Sequence, residues 1–148
     1  MASSSDWGDF PCTHLHFGDP EPFVIDVRGT VTRQERAALA ARGLTGAFAV
    51  VTAQDPKGRT QPPEVNARLA AKLQAHVATL GVTFAPVDAC SPDRSHCEHS
   101  LALAIRRHEA VDLAREYDQL AIFWFDGDAF WIVPARSSKR PVRLAPET

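Results

Sequence analysis

Apolar residues recur with helical spacing in several parts of the chain. An apolar residue at every fourth position over 65–77 predicts a helix that begins near Pro63. Thr32 and Glu35, three residues apart, form a capping-box pattern, which predicts an earlier helix that continues to about residue 42. A third helix is predicted over about 108–118, because its apolar residues would share one face.

Runs rich in β-branched and aromatic residues predict the strands between these helices. They cover residues 23–27, 47–52, 82–87, 101–105, 120–125 and 130–133. Asp55-Pro56-Lys57-Gly58 has the residues of a type I turn, and residues 88–99 read as an irregular loop. Strands and helices therefore alternate, except that two strands follow one another directly across that loop.

The order of these elements indicates the fold class. The six elements over 47–125 have the order βαββαβ, which predicts an α/β (α+β) protein with a ferredoxin-like sandwich. Residues 23–42 would add an N-terminal βα extension, and residues 130–133 would add a C-terminal edge strand. A doubly wound parallel sheet is the alternative, and the direct step from one strand to the next across 88–99 argues against it.

Composition limits the protein to one domain of the soluble class. The chain has 148 residues, of which 45% are hydrophobic and 23% are charged, and its formal net charge is −2. These values are typical of one globular domain, and no apolar window is long enough to predict a membrane span. We therefore expect no membrane association from the sequence.

Charge divides the chain into three parts. Residues 1–22 carry four acids and no Lys or Arg, whereas residues 134–148 carry four basic residues and one acid. This predicts an acidic, partly disordered N-terminal segment (1–22), a single α/β domain (23–133) and a basic C-terminal tail (134–148). The start lacks the features of a targeting signal, which predicts a cytoplasmic protein. Nucleic acid is not expected as a partner, because the basic residues do not form a clustered face beyond this tail.

Several of the predicted elements also resemble a known family. The stretch AFAVVTAQDPKG over 47–58, Asn66-Ala-Arg-Leu, Ser100-Leu-Ala-Leu and the Ala121-Ile-Phe-Trp strand are similar to a bacterial domain-of-unknown-function family numbered 3293. The resemblance covers roughly residues 23–133. This chain has Asp55 where the motif usually has Asn, and Arg107 where a helix cap would be expected. The family transfers no catalytic residue, but the resemblance implies one recurrent feature, which comprises Thr52, Asp55, Pro56, Gly58, Asn66 and Arg68.

This feature is the first candidate site. A strand end, a tight turn and a helix start would place free backbone N–H groups near cationic side chains, where a phosphate or carboxylate could bind. The predicted ligand-binding residues are Thr52, Asp55, Lys57, Gly58, Arg59, Asn66 and Arg68. In the alternative interpretation, Asp55 and Asn66 only satisfy amides of the turn while the cations remain in water.

The cysteines and histidines form a second constellation. Cys12, His14 and His16 lie near the N-terminus, whereas Cys90, His96, Cys97 and His99 lie in or beside the predicted loop 88–99, with Glu98 among them. Neither group has the spacing of a zinc motif, so the sequence predicts no metal and no cofactor, although it leaves metal binding by these residues open. Three cysteines would leave one unpaired, which favours free thiols in a reducing compartment.

Two functions from different classes follow. The sequence favours a non-enzymatic binding module for a small anionic ligand or a protein partner, through the turn and helix start. The alternative is a small hydrolase-type enzyme with a metal or thiol centre in the Cys/His loop. A homodimer through the predicted edge strand 130–133 is a further expectation.

Overall fold

A computed structural model of the chain describes residues 7–144, which form a mixed α/β structure. The helices within that range are α1 (Arg33–Ala40), α2 (Pro63–Thr79) and α3 (Arg107–Glu116). The strands are β1 (His14–Phe17), β2 (Phe23–Asp26), β3 (Phe48–Thr52), β4 (Phe84–Cys90), β5 (Cys97–Leu103), β6 (Ala121–Phe125), β7 (Phe130–Pro134) and β8 (Val142–Arg143). No helix in the described part is long and apolar enough to cross a membrane.

The strands form a single antiparallel sheet in the order β2-β1-β4-β5-β3-β6-β7-β8. Strand β3 lies between β5 and β6, with Thr52 opposite Ser100 and Phe48 opposite Phe125. This arrangement places the end of β3 beside the start of β5, although 47 positions separate Thr52 from His99 in the chain. The neighbourhood of these two strand ends positions the site described below.

The two faces of the sheet bury separate apolar clusters. Side chains alternate along β3, so Ala49 and Val51 face α2 and α3, whereas Phe48 and Val50 face the opposite side. The first cluster is closed by apolar residues of α2 and α3. The second contains residues of β1, β2, β6 and β7 together with Leu39 of α1, which indicates that the sheet curls around this core.

Helix α1 and the residues just after it connect distant parts of the curled sheet. The Arg36 Nη1 donates to the Gly127 carbonyl at 2.6 Å, and the Arg42 Nη2 donates to the carbonyls of Gly18 and Glu21 at 2.6 and 2.8 Å. The Arg42 guanidinium also lies 4.7 Å from the centre of the Phe23 ring. The helix thus contacts the β6–β7 turn through Arg36, and the segment just after the helix contacts the β1–β2 connection through Arg42.

Two local predictions, the starts of α1 and α2, are confirmed. Thr32 accepts a hydrogen bond from the Glu35 N–H, and Glu35 accepts one from the Thr32 N–H, so the capping box begins α1 as predicted. Helix α2 begins at Pro63. Strands β6 and β7 join through a hairpin turn in which Asp126 Oδ1 accepts from the Asp128 and Ala129 N–H groups.

Two strands escaped the sequence prediction. Strand β1 lies within the acidic segment 1–22, and Phe10 before it packs with its ring centre 5.0 Å from that of Phe123. Residues 1–6 of that segment, and 145–148 of the basic tail, lie outside the described residues. Strand β8 pairs with β7, so the strand at 130–133, predicted as an edge, is internal. The predicted dimer contact therefore lacks the exposed edge on which it depended.

Candidate functional site

The turn after β3 fixes the position of Asp55. Gly58 N donates to the Asp55 carbonyl at 2.9 Å, as expected for a four-residue turn. Lys57, however, has φ 58° and ψ 22°, which excludes the predicted type I geometry. The Lys57 N–H donates to the Asp118 carbonyl at 2.6 Å, and this tertiary contact holds the residue in the left-handed region.

Asp55 and Asn66 bind each other across the turn. The Asp55 N–H donates to Asn66 Oδ1, and Asn66 Nδ2 donates to Asp55 Oδ1, both at 2.9 Å. The Gln61 N–H also donates to Asp55 Oδ1 at 3.0 Å. Because Oδ1 receives both donors and the side chain is only 11% exposed, Asp55 is rigidly placed, and its Oδ2 takes part in neither of these two hydrogen bonds.

Strands β4 and β5 form a longer hairpin than the sequence predicted. Their pairing extends to Cys90 opposite Cys97, so the irregular loop predicted over 88–99 shrinks to residues 91–96. Cys90 and Cys97 form a disulfide, which corrects the expectation of free thiols; Cys12 is the free cysteine of the described residues. The cysteine content therefore no longer argues for a reducing compartment.

The loop 91–96 is closed by its own polar side chains. Asp93 Oδ1 accepts from the N–H and hydroxyl of Ser95 and from the hydroxyl of Ser91. These hydrogen bonds lower the pKa of Asp93 to about 2. The His96 N–H donates to the Ser91 hydroxyl at 3.1 Å, which fixes the backbone where the loop re-enters β5.

His96 and Glu98 of this hairpin meet Asp55 of the turn. One ligand-type atom of each of the three side chains lies within 4.8 Å of the other two. His96 Nε2 is 3.8 Å from Asp55 Oδ2, and the imidazole is 62% exposed. Among the described residues, this is the group of three or more His, Cys, Asp or Glu side chains that is close enough to hold a metal ion.

The electrostatics of this group are unfavourable without a cation. Burial raises the pKa of Glu98, and the charge of Asp55 and a hydrogen bond with Asp55 raise it further, to about 7. Glu98 therefore keeps its proton to a higher pH than an isolated carboxyl group would. A positive ion between them would remove this repulsion.

Side-chain hydrogen bonds join the strand ends that carry the group. Thr52 Oγ1 donates to the His99 carbonyl at 2.9 Å, and the His99 N–H donates to Gln54 Oε1 at 3.2 Å. The Gln54 carbonyl in turn accepts from Gln119 Nε2 at 2.9 Å. Thr52, one of the predicted site residues, thus supports the geometry by holding β3 to β5.

The predicted cations do not converge on Asp55. The side chains of Lys57, Arg59 and Arg68 are exposed, and within residues 7–144 they make no hydrogen bond or ion pair. Arg68 lies two residues after Asn66 in α2, which places it roughly 200° around the helix from the side chain that contacts Asp55. The structure thus brings Thr52, Asp55 and Asn66 together and leaves Arg68 apart.

The N-terminal histidines belong to another part of the sheet. In the strand register, His14 lies opposite Cys90 and His16 opposite Asp88, and Asp88 Oδ1 is 3.2 Å from the Nδ1 of His99. These residues do not join His96 in one four-ligand centre of the kind that structural zinc requires.

Comparison with known proteins concerns the same part of the chain. A family model described as "Protein of unknown function (DUF3293)" matches residues 51–122. The chain is similar to this family over those residues. The match confirms the predicted family, over a shorter range than the resemblance covered. No curated protein and no solved structure matches the chain.

The DUF3293 segment contains the whole three-residue group, from Asp55 to Glu98. In the sequence, Asp55 falls in one constellation and His96 and Glu98 fall in the other, with no motif that connects them. The spacing of these residues along the chain does not indicate that they lie close together, since 41 positions separate Asp55 from His96. Only the correct pairing of β3 with β5 would have shown that Asp55 lies beside His96 and Glu98.

Gly58, which lies in the DUF3293 segment, has a structural role in the turn after β3. Its φ is +72°, and a Cβ atom there would lie 3.1 Å from Leu120 Cδ1. Gly58→Ala is therefore expected to lower the free energy of unfolding by about 1–2 kcal/mol, measured by denaturant titration. Gly46→Ala is the matched control, because a Cβ at Gly46 meets nothing within 4 Å. Equal stabilities of the two variants would contradict this role.

Proposed function

We propose that this protein is a binding module for a divalent metal ion, held by Asp55, His96 and Glu98. The observation that carries the proposal is the convergence of their ligand atoms within 4.8 Å of one another. Two carboxylates and an imidazole are a ligand set suited to Mn²⁺ and Zn²⁺. The side chains come from two segments that fold together only through the pairing of β3 with β5.

The surroundings of the three residues support this proposal. Asn66 and the Gln61 N–H orient Asp55 through its Oδ1, in the way that hydrogen bonds commonly orient metal-ligating carboxylates. Three protein ligands leave coordination positions open, and the exposed His96 places these positions at the surface.

The small anionic ligand that the sequence favours fits this proposal in a modified form. A bare anion would be repelled by Asp55 and Glu98, whereas a bound metal ion would accept a carboxylate or phosphate at an open position. The exposed Lys57 and Arg59, on the same turn as Asp55, would add favourable charge. Arg68, on another side of α2, has no part in this version.

Metal binding is tested by calorimetric titration of the purified protein with Mn²⁺ and, separately, with Zn²⁺. We expect one ion per chain, and Asp55→Asn is expected to weaken binding at least about 100-fold, because loss of a ligand should exceed the effect of losing a supporting hydrogen bond. His108→Ala, which removes an exposed imidazole outside the group, should bind like the unaltered chain. Absence of binding, or equal binding by Asp55→Asn, would overturn the proposal.

A metal-dependent hydrolase is the second candidate. The observation that favours it is the number of protein ligands, because catalytic metal sites commonly have three and keep a position for water. Hydrolysis of a nitrophenyl phosphate or ester by the Mn²⁺-loaded protein, lost in Asp55→Asn, would favour this candidate over a binding module.

We also propose that residues 48–125 form a ferredoxin-like unit, as the element order predicts. The order β4-β5-β3-β6 and the antiparallel pairing of each neighbouring pair support this assignment. The packing of α2 and α3 against one face supports it as well. In such a unit, the β3 end and the β4–β5 hairpin meet at one end of the sheet.

A further inference from the structure

The disulfide lies inside the proposed metal site's own hairpin. Cys90 and Cys97 are the last paired residues of β4 and β5 before the loop. Cys97 stands directly between His96 and Glu98 in the chain, so the covalent bond anchors the segment that presents two of the three proposed ligands.

The third proposed ligand is held independently of this bond. Asp55 is fixed by Asn66 and Gln61, which belong to the turn and to α2. Breaking the disulfide would leave Asp55 in place and remove the covalent constraint on the hairpin end that carries His96 and Glu98, where the hydrogen bonds between Ser91 and His96 would remain. The Cys90–Cys97 bond is therefore one of the constraints that fix the distance between the two halves of the site.

The two cysteines of the disulfide differ in accessibility. Cys97 is exposed, whereas Cys90 is 1% exposed. A reductant can therefore approach Cys97 from solvent, and Cys90 is the thiol that leaves.

We propose that the Cys90–Cys97 disulfide controls the affinity of the Asp55–His96–Glu98 site, which binds a divalent ion tightly when the disulfide is formed and weakly when it is reduced. This inference rests on the metal-binding function proposed above. It adds a regulatory input to that site, namely the thiol–disulfide state of the surroundings.

The reduction is an exchange with a dithiol. One thiolate of the dithiol attacks the Cys97 sulfur, a mixed disulfide forms, and Cys90 leaves as a thiolate that takes a proton from water. The second thiolate of the dithiol then attacks the other dithiol sulfur, which is bound to Cys97 in the mixed disulfide, and Cys97 is released. The dithiol becomes a cyclic disulfide, and the protein gains two electrons and two protons.

Mn²⁺ binding to the oxidised and reduced chain tests the inference. The reduced form is prepared with a dithiol, freed of reductant without oxygen, and its thiols are counted before titration. Mn²⁺ is the probe because new thiolates prefer softer ions, so they add little affinity of their own. We expect the reduced form to bind roughly tenfold more weakly, a loss comparable to that of a supporting contact around a metal site.

Two variants complete the experiment. Cys90→Ala/Cys97→Ala should bind as weakly as the reduced chain and should not respond to the dithiol. Cys12→Ala should respond as the unaltered chain does, because it retains the disulfide. Should the double Ala variant fail to fold, the chemically reduced chain alone decides the result.

The outcomes separate the two proposals. Tight binding by the oxidised chain with weak binding by the reduced chain supports both. Equal affinities in the two forms, or tighter binding after reduction, overturn the redox inference and leave the metal site standing. Failure of the oxidised chain to bind Mn²⁺ or Zn²⁺ overturns both.

Discussion

Glu98→Gln is expected to make the metal-free protein more stable by about 2–3 kcal/mol at about pH 8. Burial, together with the charge of Asp55 and a hydrogen bond to it, raises the pKa of Glu98 from 4.5 to about 7 in the folded chain. An ionised Glu98 is thus destabilising, and the neutral amide of Gln removes this cost while its size is retained.

The sign and pH window of this effect follow from the two pKa values. Below about pH 4.5, Glu98 is protonated in both the folded and unfolded chains, so its raised pKa costs nothing. Between about pH 4.5 and 7 the unfolded chain loses the proton first, and the stability of the unaltered protein falls as pH rises. The advantage of Glu98→Gln should therefore appear across that window and be complete above it.

Denaturant titrations at several pH values measure this difference. Glu64→Gln, a change at an exposed acid in the first turn of α2, is the control and should show no such pH-dependent gain. A gain of equal size at acidic and alkaline pH would contradict the explanation. Addition of Mn²⁺ should stabilise the unaltered protein and not Glu98→Gln, which links this result to the proposed metal site.

Asn66→Ala is expected to lower the free energy of unfolding by about 2–4 kcal/mol. The substitution leaves the partly buried Asp55 N–H without its acceptor and removes a donor from the Asp55 carboxylate. The better helix propensity of Ala offsets a few tenths of a kcal/mol of this loss.

Arg68→Ala provides the matched control for that experiment, because it lies on the same helix and its side chain is exposed. Its unfolding free energy should stay within about 0.5 kcal/mol of that of the unaltered chain. If Asn66→Ala were equally neutral, the Asp55–Asn66 pair would have no part in fixing the turn.

The parts of the fold that the sequence predicts correctly are those that depend on residues close together in the chain. The Thr32–Glu35 capping box and the start of α2 at Pro63 follow from short-range chemistry, and the structure contains both. Strand β1 alternates polar and apolar residues, as a half-buried strand does, but it was missed because the pattern covers only four residues. Strand β8 has only two residues, too few to show the alternating pattern of a strand in the sequence.

The sequence predicts the two halves of the candidate site separately. Asp55 and Asn66 could be named because a turn before a helix has a recognisable sequence. Their connection to His96 and Glu98 depends on β3 pairing with β5, a contact between distant segments that no local spacing encodes. The disulfide escaped for the same reason, since it follows from the register of the β4–β5 hairpin.

The pairing of β3 with β5 also determines when during folding the site can exist. Asp55 and His96 are 41 positions apart and approach only after the chain between them has closed a loop. Because closing a long loop costs conformational entropy, we expect this contact to form late. An ion that requires all three ligands would therefore have little to bind in the folding transition state. It would leave the rate of folding nearly unchanged and act by slowing unfolding, so that metal would lengthen the lifetime of the native chain.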